Sequence, residues 1–438
     1  MTAFLLDIRI AVLSLFEHRR RALFLGLAIA AVTALFVLLN GLSAGIRHTL
    51  IDTATTLSTG HLNVGGFYKV TSGQAGAVVV DYEKVKETVK KELPELDFMV
   101  ERGRGWAKIV SDTSSMQAGV GGIDIARESA FKSVLRIASG NIDELAQPNT
   151  ILIFDAQAKK LKIKVGDAIT ISAQTTRGVA NTIDCRVIAI AEDVGLLSQW
   201  NVFISNASLR ALYQLRPDVT GAIQIHLKPR YVNDLGPLAA RLRTSLEKAG
   251  YRIMEPDPRP FWMKFESVTR EDWTGQKLDV TSWEDELSFM MWTLSALNGL
   301  SFVLMVILIA IVITGIMNTM WIAIRERTRE IGTLRAIGMQ RGSVVRMFLW
   351  ESFLLGVFGA VAGAVVGAMT AGVLNSANIH VPLSVQLFLM SDTLKLSVLP
   401  TALGGAIALI SVVTGVAALY PALRASRLKP VDAMSHFG

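Results

Sequence analysis

The sequence predicts a membrane protein with four transmembrane α-helices in a one-plus-three layout and a large extracytoplasmic α+β domain between the first and second. Three observations carry this expectation. Of the 438 residues, 51% are hydrophobic and only 18% charged, with a mean hydropathy of +0.41. Four apolar runs, 22–46, 294–324, 347–374 and 399–423, each reach the roughly 20 residues that a hydrocarbon core requires. Between the first two lies a polar stretch of about 245 residues, enough for one large or two small domains.

The positions of Lys and Arg set the orientation, because cytoplasmic loops retain basic residues. Arg9, Arg19, Arg20 and Arg21 precede the first run, and Arg325, Arg327, Arg329, Arg335, Arg341 and Arg346 separate the second from the third. Arg424, Arg427 and Lys429 follow the fourth, whereas the loop between the third and fourth contains only Lys395. Both termini and the 325–346 segment are therefore expected in the cytoplasm, with the large domain outside. A net charge of +7 invites a nucleic-acid reading, but the cytoplasmic pieces hold thirteen basic residues against five acids, about +8. Glu351 takes one back, so the remainder is near neutral and nucleic acid is excluded as a partner. The first run reads as an uncleaved span rather than a signal peptide. Its core is too long for a signal sequence, and a patterned segment precedes it.

The elements follow in order. Phe4, Ile8, Val12 and Leu15 recur at helical spacing, which predicts an interfacial helix over 1–21 ahead of the span 22–46. Residues 47–292 form the outer domain with its stalks. Ile46, Leu50, Thr53 and Leu57 continue one helical stripe out of the first span, and Trp283, Leu287, Met290 and Met291 lead into the second, 293–324. Within the domain, strands are expected over 61–64, 77–80, 106–110, 151–154, 168–173, 183–191, 202–204 and 222–227. Helices are expected over 81–93, 155–161, 208–215 and 233–249. The order implies an α+β domain in two parts, divided within 119–147 or 175–181, and the stretch 257–283 has no clean period. A cytoplasmic segment (325–346), the span 347–374, an outer loop (375–398), the span 399–423 and a cytoplasmic tail (424–438) complete the chain.

The chemistry the residues exclude narrows the function. No Gly-Lys pair occurs, so there is no phosphate-binding loop, and there is no HExxH. His18, His48, His61, His226, His380 and His436 are scattered, so each reads as a surface or interfacial histidine rather than a metal ligand. Cys185, the single cysteine, reads as a small buried filler in a strand. The spans contain no Asp, Lys or Arg, and Glu351 is their only acid. An intramembrane charge costs roughly 2.5–3.5 kcal/mol on insertion scales and is retained chiefly where protons or ions are handled. An ion-driven carrier is therefore disfavoured, and Glu351 reads as an interfacial anchor for 325–346. Gly356, Gly359, Gly363 and Gly367 form a small-residue face, read as tight packing within the bundle, with a dimer contact as the alternative. In 325–346, Ile324, Ile331, Leu334 and Ile337 are expected on one side of a short helix ending at Gly338, with Arg325, Glu326 and Arg329 elsewhere. Acids at Glu326 and Glu330 exceed what a basic loop requires, which points to docking on a partner.

Two segments carry a family resemblance. Residues 326–338, ERTREIGTLRAIG, resemble the cytoplasmic signature of the FtsX/MacB/LolC-LolE superfamily of ABC permeases. Residues 420–434, YPALRASRLKPVDAM, are similar to its C-terminal signature, and the span layout is also similar. The resemblance implies a non-catalytic permease of the bacterial inner membrane that pairs with a second copy or a paralogue and is driven by a cytoplasmic ABC ATPase dimer. ATP and Mg would be bound by that ATPase, and this chain would hold no cofactor or metal. The coupling residues would be Arg325, Glu326, Arg327, Arg329, Glu330, Ile331, Gly332, Leu334, Arg335, Ala336 and Gly338. The C-terminal signature residues would be Pro421, Ala422, Arg424, Ala425 and Pro430. Residues 58–64, STGHLNV, look like the opening of the lipoprotein-releasing group, whereas the unit 151–171 is similar to repeats in both that group and macrolide exporters. The expectation is thus release of lipoprotein-type cargo, with a periplasmic carrier or adaptor. The alternatives are efflux of small molecules or peptides and regulation of cell-wall hydrolases. Exposing one sixteen-carbon acyl chain costs on the order of 12 kcal/mol, so an extractor needs an apolar groove. Phe36, Leu39, Leu297, Leu300 and Val303 are the candidates for it.

Overall fold

The computed structural model describes residues 9, 11–13, 17, 19–71, 73–381 and 393–427. It contains two compact units, one built from residues before Thr49, Leu294–His380 and residues from Thr393, the other from Thr49–Thr293. Most of the helix expected over 1–21 lies outside the described residues, as do much of the loop 375–398 and the tail beyond Arg427.

The first unit is helical because its sequence leaves no alternative: in an apolar medium every backbone N–H and C=O must be paired within its own segment. Among the described residues, four helices are long and apolar enough to cross a membrane: Arg19–Ala54, Ser288–Glu326, Arg341–Ser376 and Pro400–Ser426. The first two, of 36 and 39 residues, extend about 54 and 58 Å, well beyond a hydrocarbon core of roughly 30 Å. The third helix meets its neighbours through glycine. A Cβ on Gly363 would stand 2.3 Å from the Ala30 carbonyl oxygen, and one on Gly367 3.0 Å from that of Ala34. A Cβ on Gly359 would meet Ile29 at 2.9 Å, and one on Gly356 the Thr414 hydroxyl of the fourth helix at 1.9 Å. The small-residue face is therefore occupied inside the bundle, which removes it as a dimer contact. At the opposite end from the 325–346 segment, Ser397 donates its N–H to the Gly41 carbonyl at 2.8 Å. The Asn375 side chain there bonds both backbone groups of Leu396. Ser43 Oγ donates to Asn298 Oδ1 at 2.6 Å, joining the first and second helices.

Among the described residues, the second unit is built on an eleven-stranded sheet and a separate two-stranded pair, with helices between the strands. Its strands are β1 (Leu62–Thr71), β2 (Gln74–Gly76), β3 (Val79–Val80), β4 (Leu96–Val110), β5 (Ser115–Ile123), β6 (Ile137–Gly140) and β7 (Thr150–Phe154). They continue as β8 (Ala168–Gln174), β9 (Ala180–Ala191), β10 (Asn201–Ser205), β11 (Val219–Thr220), β12 (Ala222–Leu227) and β13 (Gly275–Ser282). The order is β13-β1-β12-β4-β5-β10-β7-β9-β6, with β2 on β1 and β8 joining β4 to β9, while β3 and β11 form a separate pair. The helices expected from periodicity fall at Tyr82–Glu92, Asp155–Leu161, Asn206–Tyr213 and Leu235–Lys248.

The two parts of the domain are not divided where expected. Residues 119–123 belong to β5, and 175–181 form the turn and start of the β8–β9 hairpin. The change of partner occurs inside β4, whose residues to Arg102 pair with β12 and those from Gly103 pair with β5. The unassigned stretch 257–283 contains the helix Phe261–Arg270 and β13. β13 pairs antiparallel with β1 from Leu62↔Ser282 to Lys69↔Gly275, so the chain enters and leaves the domain on adjacent strands. A capping box at Ser282, whose N–H donates to Asp285 at 2.8 Å, then starts the short helix Trp283–Glu286. Leu287 interrupts it before the second long helix, so this stalk is broken rather than continuous. The first stalk ends in a π-helical turn, Thr55–Thr59. Leu50, Thr53 and Leu57 are buried as their stripe predicts, as are Trp283 and Leu287, while the Met290 side chain lies outside the described residues.

Buried polar groups hold the root of the sheet. Asn63 Nδ2 donates to Thr281 Oγ1 at 3.1 Å and to Glu286 Oε1 at 3.3 Å, and Lys264 pairs with Asp279 at 2.6 Å. Burial is the main cause of the raised Asp279 pKa, against the pull of Lys264. Arg102 pairs with Glu128 where β4 changes partner. His226 departs from the surface position expected of it. It is 7% exposed and stacks on Phe98 at 4.3 Å, and burial, reinforced by His61 and Arg102, lowers its pKa to about 3.

Two outcomes follow from this packing. Gly363→Ala forces the first and third helices apart and should destabilise the detergent-solubilised protein by about 1–3 kcal/mol in thermal unfolding. Gly372→Ala, with nothing within 4 Å of the new Cβ, should cause no loss. Between pH 6.5 and about 3 the unfolded chain binds a proton that folded His226 refuses, so stability falls as pH drops through that window. The slope from this group is at most about 1.4 kcal/mol per pH unit. His226→Phe should flatten that part of the pH–Tm profile and leave the pH 7.5 value nearly unchanged.

Candidate functional site

The second long helix ends at Glu326, and Arg327, at φ −102° and ψ 14°, leaves helical geometry before Thr328–Ala336 restarts it. The Thr328 hydroxyl donates to the Ile324 carbonyl at 2.8 Å across this elbow. Neither Pro nor Gly makes the break. Instead, Arg327 turns inward: Nη1 lies 3.4 Å from Glu351 Oε2 in the third long helix, and Nε lies 3.8 Å from Glu330 Oε2. The Arg327 and Glu351 side chains are only 11% and 10% exposed. Glu351 thus anchors the 325–346 segment, as its position suggested, and Arg327 is the residue it holds.

The elbow helix stops by a defined motif. Gly338 adopts φ +109°, its N–H bonds the Arg335 carbonyl at 3.2 Å, and the Met339 N–H bonds that of Leu334 at 3.0 Å. This pair of bonds is a Schellman ending, which requires a left-handed residue at the glycine position.

The apolar side expected for this helix is divided. Ile324 and Ile331 are 4% and 1% exposed, and Gly332 is buried, but Leu334 is 37% and Ile337 81% exposed. At 100° per residue, a step of three falls 60° short of a turn, so Ile337 stands about 120° from Ile331. Arg325, Glu326, Arg329, Glu330, Ala336 and Gly338 are exposed as well, and Arg335 is half-buried. The outer side therefore presents two apolar residues among charges of both signs.

Ile331 belongs to one buried cluster with Ile29, Ile316, Met320, Val344, Phe348, Ala418, Ala422 and Ala425, which draws on all four long helices. The C-terminal signature enters here. Pro421, Ala422 and Ala425 are buried, and the Arg424 guanidinium lies over the Trp321 ring at 5.1 Å. Pro430 lies outside the described residues. The two signatures, about ninety residues apart in sequence, thus pack into a single core.

The five groove candidates do not form one open face. Phe36 packs against Val37, Ala364 and Ala406, and Leu39 is half-buried, whereas Leu297, Leu300 and Val303 are exposed. Contrary to a reading of the sequence as free of GxSxG, Gly41, Ser43 and Gly45 have the spacing of a nucleophile elbow. That motif needs a strand-to-helix turn, and these residues lie inside a helix with Ser43 bonded to Asn298. Among the described residues no three His, Cys, Asp or Glu gather as a metal would require. Cys185 is buried in β9, with its thiol pKa raised to about 12 chiefly by burial, so it is unreactive.

Residues 22–245, just over half of the chain, match the family described as MacB-like periplasmic core domain, and residues 302–430 match the family described as FtsX-like permease C-terminal. Among curated relatives, the pyoverdine export ATP-binding/permease protein PvdT of Pseudomonas fluorescens is 35% identical over 28% of this chain and 16% of its own length. The macrolide export ATP-binding/permease protein MacB of Nitrobacter winogradskyi is 37% identical over 28% of this chain and 17% of its own. The ABC transporter permease YtrF of Bacillus subtilis is 40% identical over 27% of each chain. The matches therefore span about a quarter or less of these relatives. The crystal structure of the periplasmic region of MacB from Actinobacillus actinomycetemcomitans aligns at 12% identity over 53% of this chain and 92% of that one. Its TM-score of 0.30 is too low to establish common topology.

The Schellman ending gives a direct check on the elbow. A Cβ at Gly338 meets nothing within 4 Å, so Gly338→Ala acts only through the left-handed backbone, at about 1 kcal/mol. Amide hydrogen exchange across Thr328–Ala336 should accelerate roughly fivefold, and Gly338→Asn should fall between the two.

Proposed function

This chain belongs to the FtsX/MacB superfamily of ABC-transporter permeases, and we propose that it is the subunit that receives motion from a separate cytoplasmic ATPase. In this reading it lies in a cytoplasmic membrane with both termini inside, as its basic residues are distributed, and delivers the motion to its extracytoplasmic domain. The observation that carries the reading is the elbow helix Thr328–Ala336. Its inner face is fixed by Ile331 and Arg327, and its outer face offers Leu334 and Ile337 for docking. With no phosphate loop in the sequence, nucleotide is assigned to the partner, and the chain itself is assigned no catalysis.

For cargo, export of a small molecule or peptide is favoured over lipoprotein release. PvdT and MacB are named for pyoverdine and macrolide export, which fits that class. The lipoprotein reading drew on residues 58–64, and these have a sufficient structural role. Gly60 turns the chain at φ +65°, and Leu62–Val64 open β1 against β13. Phe36, turned into the bundle, also leaves the acyl groove incomplete.

Leu334→Asp combined with Ile337→Asp should reduce recovery of the co-purifying ATPase at least tenfold while leaving the thermal midpoint within about 2 °C, since both side chains are exposed. Full recovery of the ATPase with this variant would exclude the docking role. In reconstituted vesicles, ATP-dependent loss of a trapped dye-like macrolide, without release of an acylated protein, is the expected cargo result.

A further inference from the structure

We propose that the buried Arg327–Glu351 ion pair is a latch that makes the elbow helix and the third long helix move as one body, so that both are positioning residues for energy coupling. The inference rests on the reading of Thr328–Ala336 as the ATPase-docking helix, but its physical basis is separate.

Glu351 is the only charged residue within the four apolar runs. A carboxylate so placed and left alone is strongly unfavourable, and removing one member of a buried pair strands the other. Its partner is supplied by Arg327, the residue at which the chain breaks between the second long helix and the elbow helix. The pair therefore sits at a joint, where two rigid elements could otherwise pivot. Arg327 also faces Glu330 of the elbow helix at 3.8 Å, so one guanidinium touches a carboxylate on each of the bodies being joined.

The apolar cluster around it supplies cohesion without register. Contacts among Ile331, Val344, Phe348 and Ala422 are non-directional, and side chains of this kind can slide past one another. A guanidinium–carboxylate pair is directional and fixes one relative position. A push on Leu334 and Ile337 is then carried into the third helix through Arg327. From there the glycine contacts at Gly359 and Gly363 carry it to the first helix.

The test uses the full chain in nanodiscs, alone and as the complex purified with its bound ATPase, with ATP and vanadate as the nucleotide probe. In the chain alone, Glu351→Gln should accelerate amide exchange across Thr328–Ala336 at least tenfold. In the complex it should retain ATP hydrolysis within about threefold of wild type but lose the nucleotide-dependent change in exchange across Thr49–Thr293. Arg327→Lys, which keeps the charge without the fork, should show a partial loss. The reversed pair, Arg327→Glu with Glu351→Arg, should recover most of the transmitted change. A merely structural role would lower stability and hydrolysis together, and reversal would not restore transmission selectively. Unchanged elbow exchange in Glu351→Gln, or transmission that survives it, overturns the latch. A wild-type chain that recruits no ATPase overturns the docking reading instead, and the exchange measured on the chain alone then decides the latch by itself.

Discussion

An ionised group at the edge of an apolar medium must find its counter-charge within the chain, and that constraint fixes the end of this molecule on which its function is proposed to depend. Arg327 and Glu351 satisfy each other at 3.4 Å. Because they do, the helix that follows Arg327 can bury only one side, the one bearing Ile331 and Gly332. Its opposite side is thereby determined as well. Leu334 and Ile337 stand 37% and 81% exposed, about 60° and 120° around the helix from Ile331, and the Schellman ending at Gly338 closes the helix just beyond them. On the proposed function, this outer side, with Leu334 and Ile337 among charges of both signs, is the one on which the ATPase docks.

The same principle organises the root of the large domain, within its own unit. Asn63, Thr281 and Glu286 share hydrogen bonds, Arg104 approaches Glu286 at 3.7 Å, and Lys264 neutralises Asp279. Asn63, Asp279, Thr281 and Glu286 lie on the strands and short helix where the chain enters and leaves, while Arg104 reaches them from β4 and Lys264 from the helix Phe261–Arg270. The eight-residue pairing of β1 with β13 then obliges entry and exit to share one edge of the sheet. Beyond β12, a single strand, β4, runs through both halves of the sheet. On the proposed function, a displacement delivered at either stalk crosses the β1–β12 and β12–β4 ladders and then reaches the far half along the backbone of β4.

The four long helices were legible because length and apolarity suffice to identify them, and Gly338 and Glu351 were legible because each has one economical explanation. Other features were hidden for physical reasons. The segment 257–283 had no readable period because its burial is inverted: Lys264 is inside, paired with Asp279, while Trp262, Met263 and Phe265 are exposed. β5 was missed because Gly119, Gly121 and Gly122 read as a linker. In the fold they allow close approach, since a Cβ on Gly121 would meet the Phe203 ring at 2.8 Å. His226 looked like a surface residue because nothing local announces its stacking on Phe98, a partner 128 positions earlier in the chain. The Arg327–Glu351 pair was half visible. The acid stood out in its apolar run, but the choice among six nearby arginines needed the bend in the chain.

What remains is the source of work. A carrier driven by an ion gradient needs a group in its membrane interior that can bind and release the ion, and such a group has to be available. Within the four apolar runs the one acid is Glu351, and it is engaged by Arg327 rather than open to a pathway. Of the other buried polar groups described there, Thr33, Ser411 and Thr414 donate their hydroxyls to carbonyls of their own helices, and Ser352 donates to Met320 Sδ at 3.3 Å. The engaged Glu351 is thus consistent with the proposal that work reaches these helices from a partner rather than from an ion gradient. On the proposed function, a push at the elbow is passed on through Ile331, which shares one buried cluster with residues of every long helix and so with the packing that holds the bundle together.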